Sequence, residues 1–127
     1  MSQQFDSGTI PMTADAAIAQ FARVIFEADG RCVTAGVAQV GDGIAQTAAL
    51  AAGDVISVKT WNSSGTFKMI AIEALAVASP LYTEASGKVQ DTAASTSFLF
   101  AKALEAATAD GDIIECVLRH GTPVAVA

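Results

Sequence analysis

The chain has 127 residues, 52% of them hydrophobic and only 16% charged, which is enough apolar material for one folded domain of ordinary size. Its formal net charge of −6 opposes nucleic-acid binding, because displacing counterions from phosphates requires a cationic face. Much of the apolar content is alanine, which buries little area. Stability shared between identical copies is therefore an early expectation.

The sequence lacks the features of membrane and secreted disulfide proteins. The N-terminal residues carry no positive n-region, so we expect no signal peptide, and no run of about 18 apolar residues is long enough to span a membrane. The basic residues are scattered, so no polybasic run is available to bind an anionic membrane. Cys32 and Cys116 lack CxxC spacing, and we expect both to be buried, reduced thiols rather than a disulfide or a metal site.

Residues 1–13 are interpreted as an N-terminal arm or edge strand. The segment is polar and shows no helical period, and Pro11 both lacks a backbone donor and biases Ile10 toward extended geometry. Phe5 and Ile10 are apolar residues in this otherwise polar segment. One interpretation is a frayed terminus, and the other is an arm that docks on a neighbouring molecule. The second makes Phe5, Ile10 and Pro11 candidate contact residues.

A hairpin is predicted after this arm. Residues 14–22 fit a short helix capped from Thr13 or Asp15, or an extended lead-in to the next strand. Residues 23–28 form a strand by their β-branched and aromatic content, and residues 31–35 form its partner. The Asp-Gly pair at 29–30 between them predicts a type I′ turn, which needs positive φ at both central residues.

Glycine-rich turns and two further strands follow. The segment VGDGIAQ could suggest a phosphate loop, but it has no βα unit before it, and Asp42 would repel phosphate, so turns around a short strand are favoured. Residues 55–61 alternate as a strand, with Ile56 and Val58 on one face. A turn at 62–65 leads into a strand predicted over 66–77.

The second half of the chain repeats the first. Residues 24–33 align with residues 81–90, and residues 43–58 align with residues 101–116. The alignment places Gly30 over Gly87, and it places the Gly-Asp pair at 53–54 over the pair at 111–112. Two strand-rich units, at about 23–59 and 80–118, predict an all-β fold with one or two short helices, a compact pseudo-symmetric barrel or sandwich. The arm at 1–13, a single domain at 14–120 and a tail at 121–127 complete this organisation.

No group of residues suggests catalysis, a metal or a cofactor. His120 is the single histidine, no GxSxG motif is present, and the acidic residues lie mostly at turns. The DGD sequence at 110–112 lacks the ligand spacing of a calcium loop. One alternative is a biotin or lipoate carrier, since Lys68 lies in an FKM context, but such a lysine must protrude at a hairpin tip and the predicted turn ends three residues earlier.

The repeated pattern resembles the capsid decoration, or cement, proteins of tailed bacteriophages. In that family a polar arm and a hairpin lead to a G-[IV]-A step, an A-x-G-[DE]-x-[IV]-x-V segment, and a second copy that begins P-[LV]-Y. The corresponding segments here lie between residues 8 and 120, and they are Gly43 to Ala45, Ala51 to Val58, Pro80 to Val89, Ala103 to Ala107 and Gly111 to Leu118.

This resemblance implies a structural protein rather than an enzyme, without a small-molecule substrate. Such a protein would bind the major capsid protein on the outer surface of the head and stabilise the expanded shell, usually as a homotrimer at three-fold positions. It would be made in the bacterial cytoplasm and located on the virion. The candidate contact residues of the arm, Phe5, Ile10 and Pro11, would then meet the capsid or a neighbouring subunit.

Overall fold

The computed structural model describes residues 8–119 and 121–126, and this part of the chain is almost entirely β. Its strands are β1 (Thr9–Ala14), β2 (Arg23–Phe26), β3 (Arg31–Thr34), β4 (Gly43–Ala45), β5 (Val55–Thr60), β6 (Phe67–Ile70), β7 (Pro80–Thr83), β8 (Val89–Gln90), β9 (Phe98–Ala103), β10 (Ile113–Leu118) and β11 (Val124–Ala125). A single 3₁₀ turn at Ala85–Gly87 joins β7 to β8. No helix among the described residues has the length and apolar character needed to cross a bilayer.

The first five strands close into a barrel in the order β1-β3-β2-β4-β5. β1 pairs with β3 in parallel and with β5 antiparallel, and the second of these pairings closes the barrel. We call this barrel, residues 9–60, unit 1. Its buried positions alternate along β5, where Ile56 and Val58 face inward as predicted.

The remaining strands form a sheet in the order β6-β10-β9-β7-β8, with β11 added on β9. The sheet is nearly closed, because an isolated parallel bridge joins Ala71, just after β6, to Val89 in β8. We call residues 67–118 unit 2.

The two units have the same strand order and the same register. The parallel pair Ala14–Cys32 in unit 1 corresponds to the parallel pair Ala71–Val89 in unit 2. Equivalent pairs recur throughout: Ile25–Val33 and Tyr82–Gln90, Arg23–Ile44 and Pro80–Lys102, Ala45–Val58 and Ala103–Cys116, Met12–Ile56 and Met69–Ile114, and Ile18–Ala49 and Leu75–Ala107. The predicted all-β, pseudo-symmetric fold of two similar units is therefore confirmed.

The repeat starts earlier than the sequence alignment indicated. β1 is the counterpart of β6, so residues 9–13, which the sequence assigned to the arm, lie in the first strand of unit 1. β1 contributes five residue pairs to the barrel through β5. Residues 1–7, the remainder of the predicted arm, lie outside the described residues, and Phe5 is one of them.

The turn between β2 and β3 differs from the predicted type I′ turn. Gly30 has φ +86, but Asp29 is not among the residues with positive φ. The amide of Gly30 donates to the carbonyl of Glu27 at 3.0 Å, and the amide of Glu27 donates to the carbonyl of Arg31 at 2.8 Å. This geometry closes a three-residue loop with one left-handed glycine, which relieves Asp29 of an unfavourable positive φ.

Two other local predictions need correction. Residues 14–22 are not helical, because Ile18 bridges Ala49 and Phe21 adopts φ +68, so the extended alternative is the right one. The strand predicted over 66–77 ends at Ile70. The alanine-rich continuation instead repeats the path of residues 14–22, with a bridge at Leu75 and φ +68 at Ala78.

The hydrophobic core is divided into one cluster per unit, and each cluster borrows from the other. Ile44 of unit 1 is packed in the cluster of unit 2, whereas Ile70 of unit 2 is packed in that of unit 1. The side chain of Trp61 lies edge-on to Phe67, with ring centroids 5.1 Å apart. Each of the two cores therefore includes a buried side chain from the other unit.

Candidate interaction surfaces

The hairpin of unit 2 is inserted against unit 1. We call Glu84–Lys88 the unit-2 tip. The amide of Gly87 donates to the carbonyl of Ala35 at 2.9 Å. A Cβ atom on Gly87 would lie 2.9 Å from both Cβ of Ala22 and the backbone nitrogen of Arg23, so this close approach requires glycine.

The side chain of Arg23 in unit 1 holds this inserted tip through hydrogen bonds. Its guanidinium donates to the carbonyls of Glu84 (2.5 Å) and Lys88 (3.2 Å) in the tip, and on the unit-1 side to the carbonyls of Gly36 (3.3 Å) and Gln39. The side chain has no solvent exposure. Burial lowers the pKa of Arg23 to about 10, an effect that the nearby Glu84 carboxylate opposes. Arg23 is thus a buried cation that joins the two units through carbonyl oxygens.

The corresponding tip of unit 1, Glu27–Arg31, makes no such contact with unit 2 among the described residues. We call it the unit-1 tip. A Cβ atom on Gly30 would meet nothing within 4 Å. The unit-1 tip is acidic, since carboxylate oxygens of Asp15, Glu27 and Asp29 lie within 4.8 Å of one another. Arg31 forms a 3.7 Å ion pair with Asp15.

The carboxylates at this tip repel one another. Oε1 of Glu27 is shielded from solvent and has no hydrogen-bond donor among the described residues. The pKa of Glu27 is raised by a hydrogen bond with Asp15, by burial, and by the charges of Asp15 and Asp29.

Two candidate contact residues of the arm, Ile10 and Pro11, lie on β1. Pro11 is exposed, and Ile10 is half-buried against the unit-1 core. β3 pairs only with the far end of β1, so Pro11 lies where β1 has a partner on one side alone, as its missing N–H requires. Together with Val55, which is 67% exposed, they line a shallow groove of about 380 Å³.

A second groove lies on the outer face of β7, β9 and β10 in unit 2. We call it the unit-2 groove, and it has a volume of about 490 Å³. The residues that line it are Ala78, Pro80, Leu99, Ala101, Lys102, Val117, Leu118 and Arg119. Its floor is apolar, and the charged side chains among its described lining residues are Lys102 and Arg119.

Neither cysteine is placed for chemistry. Cys32 and Cys116 are free thiols with no solvent exposure, as predicted. Burial raises the pKa of both, and that of Cys116 to about 12, with Glu105 and Glu115 adding to the effect. Both side chains therefore stay as neutral thiols near pH 7 and are poor nucleophiles.

Lys68 does not have the geometry of a carrier lysine. It lies within β6, opposite Glu115 of β10, rather than at a hairpin tip. Its Nζ lies 5.8 Å from the centre of the Phe21 ring. His120 lies outside the described residues.

The sequence of the chain matches one family of phage proteins over most of its length. The model of the phage cement protein family matches residues 3–120. The chain belongs to this family. It is a structural phage protein associated with the capsid.

The fold of this cement protein is shared with a solved phage structure. It is similar to the N base of the head fiber gp8.5 of bacteriophage phi29, with a TM-score of 0.72 and 20% sequence identity. The similarity covers 87% of this chain and 92% of that one. At this identity the likeness concerns the fold. No curated protein matches the sequence.

The sequence missed the interface between the units. Arg23 carries no signal of burial, since arginine is rarely buried without a charged partner. The role of β1 could have been found from matches that the alignment left out: Met12 with Met69, Ala14 with Ala71, and Ile18 with Leu75.

Proposed function

We propose that this protein is a cement protein that binds the outer surface of the phage head and stabilises the expanded shell. Its partner is the major capsid protein, and it acts as a homotrimer. The observation that carries the proposal is the family match over residues 3–120, since it covers nearly the whole domain. The protein is synthesised in the host cytoplasm and joins the head there.

The physical character of the surface supports this proposal. Two shallow grooves with apolar floors suit shape-matched contacts between proteins better than they suit a small ligand, which is usually enclosed. The net charge of −6 keeps many copies soluble before assembly. Repeated copies on a symmetric shell gain affinity through multivalency rather than through one strong contact.

The capsid contact is proposed on the face of β1, at Ile10 and Pro11, continued by Phe5 of the arm. Val55 extends the same face, and Leu50, which is 87% exposed, lies in the turn before it. Large exposed apolar side chains on a soluble domain mark an interaction site when they are grouped.

The proposal is tested with heads that lack this protein, prepared from the phage that encodes it. Purified protein is added, and the heads are pelleted through a sucrose cushion. Saturable co-sedimentation with expanded heads is the expected result, with weaker binding to unexpanded heads. Protein that stays in the supernatant at all concentrations would overturn the proposal.

The contact face is tested separately with truncated and substituted chains. Deleting residues 2–7 removes Phe5 but keeps the Gly8 carbonyl, which accepts from the amide of Thr60 at 3.0 Å. Binding should weaken while the fold is retained. Val55→Asp should weaken it further, whereas the matched change Ile113→Asp, at the equivalent exposed position of unit 2, should not.

A further inference from the structure

The interface between the two units is one-sided. If the units were related by a two-fold axis, each tip would dock on the other unit. The unit-2 tip docks on unit 1, but the unit-1 tip has open space around Gly30. The contact is therefore heterologous, and one tip and one receiving face remain unused within a single chain.

The unused receiving face is the unit-2 groove. In unit 1 the receiving face includes Phe21, Arg23 and Ile44, and Trp61 continues it directly after β5. These side chains pack against the core or the tip of unit 2. The strand register assigns each a counterpart in unit 2, and these counterparts are Ala78, Pro80, Lys102 and Arg119. All four line the unit-2 groove. The groove is thus the surface of unit 2 that corresponds to the covered face of unit 1.

The unused tip and the unused face have opposite charges. The unit-1 tip presents Asp29 beside Asp15 and Glu27, with one cation, Arg31, among them. The unit-2 groove presents Lys102 and Arg119. Opposite charges on facing patches favour docking in one orientation and oppose wrong pairings.

One acidic residue opposes this pairing. The register places Asp91 at the position of Thr34, which lies beside Gly87 in the internal contact. Asp91 does not line the unit-2 groove, and its carboxylate accepts from the hydroxyl of Thr92 at 3.3 Å. Lys102 and Arg119 are the charged side chains that line the groove itself, whereas Asp91 lies beside Glu73 outside its lining.

From these observations we infer that copies of the protein associate head to tail, with the unit-1 tip of one copy in the unit-2 groove of the next. This contact between two chains has the same arrangement as the contact that the unit-2 tip makes with unit 1 within one chain. Three copies joined in this way form a closed ring of six units. The inference rests on the self-association included in the proposed function, for which it names the surfaces.

The test is a charge swap, read by sedimentation velocity. The wild-type protein should sediment with about three times its chain mass of 12.9 kDa. Asp29→Lys and Lys102→Glu should each weaken association by about tenfold or more, because each places like charges together. The double variant should recover most of the wild-type association, which a merely unfolded or damaged protein would not do.

Ser64→Lys is the matched control, since Ser64 is also an exposed residue before a turn glycine and belongs to neither the tip nor the groove, and it should leave association unchanged. A wild-type trimer that all of these variants leave intact would overturn this interface and leave the proposed trimer standing. A monomeric wild-type protein would overturn both. Co-sedimentation of the same variants with heads reports separately on capsid binding.

Discussion

The amide of Gly87 donates a 2.9 Å hydrogen bond to the carbonyl of Ala35, and this bond ties the hairpin of the second unit to the first. Gly30, at the equivalent position of the first unit, has nothing within 4 Å of where its Cβ would be. Gly30 and Gly87 occupy equivalent positions in the two repeats, but they have different structural roles. One is needed for its conformation and for a close contact, and the other for its conformation alone.

The first prediction compares the same substitution at these two glycines. Both glycines have positive φ, +71 for Gly87 and +86 for Gly30. Alanine at either site therefore costs about 1–2 kcal/mol of conformational strain. Gly87→Ala also forces Cβ into contact with Ala22 and Arg23, which adds about 1–3 kcal/mol. Urea denaturation of both variants measures this. Equal losses would contradict the docking of the unit-2 tip.

The second prediction concerns the buried cation. Arg23→Met keeps an apolar stem but leaves the carbonyls of Glu84, Gly36 and Gln39 without this donor, so unfolding should become easier by about 3–5 kcal/mol. Arg31→Met removes only an exposed ion pair and should cost less than about 1 kcal/mol. Denaturation midpoints of the two variants give the comparison. Similar small losses would show that Arg23 is not what joins the units.

Part of the local structure could be predicted from the sequence alone. Hydrophobic alternation along 55–60 and the paired Gly-Asp turns define local structure, and they repeat because they depend on neighbouring residues alone. In each of these turns the aspartate accepts from two amides, Leu50 and Ala51 for Asp54, and Thr108 and Ala109 for Asp112. Such local hydrogen bonding can be expected from the sequence.

The relation between the units could not be predicted in this way. It depends on which of two similar hairpins is inserted, and the two receiving faces differ at several positions. Arg23 of the covered face corresponds to Pro80 of the open groove, and Ile44 corresponds to Lys102. Long-range packing of this kind has no period in the sequence.

The third prediction concerns alkaline pH. The pKa of Cys116 is raised from 9.0 to about 12 by burial, so above pH 9 the unfolded chain loses this proton while the folded chain keeps it. Its contribution to stability is present below pH 9 and is lost as the pH rises toward 12. Cys116→Val should flatten the decline in unfolding free energy between pH 9 and pH 10. Arg23 is present in both proteins, so its titration near pH 10 affects both slopes alike. Denaturation in reducing buffer across this range measures the slope, and an unchanged slope would contradict the burial of the thiol.

The fourth prediction concerns the acidic tip. The pKa of Glu27 is raised above its ordinary value of 4.5, so its contribution to stability is lost as the pH rises through its folded pKa. Glu27→Gln, which can donate to Asp15 without a charge, should stabilise the protein at pH 7 and lose this advantage in acid. Thermal unfolding at pH 7 and at pH 4 tests the trend. In an Asp15→Asn background the advantage should become smaller, and an undiminished advantage there would contradict Asp15 as a cause of the raised pKa.

The central claim is that this protein strengthens a phage head, and heat-induced release of DNA tests it most directly. Filled heads that lack the protein are heated with a DNA-binding dye, without added protein and with saturating amounts of it. The account predicts that DNA is released at a higher temperature when the protein is bound, and that Val55→Asp removes this shift. The same release temperature with and without saturating bound protein would contradict it.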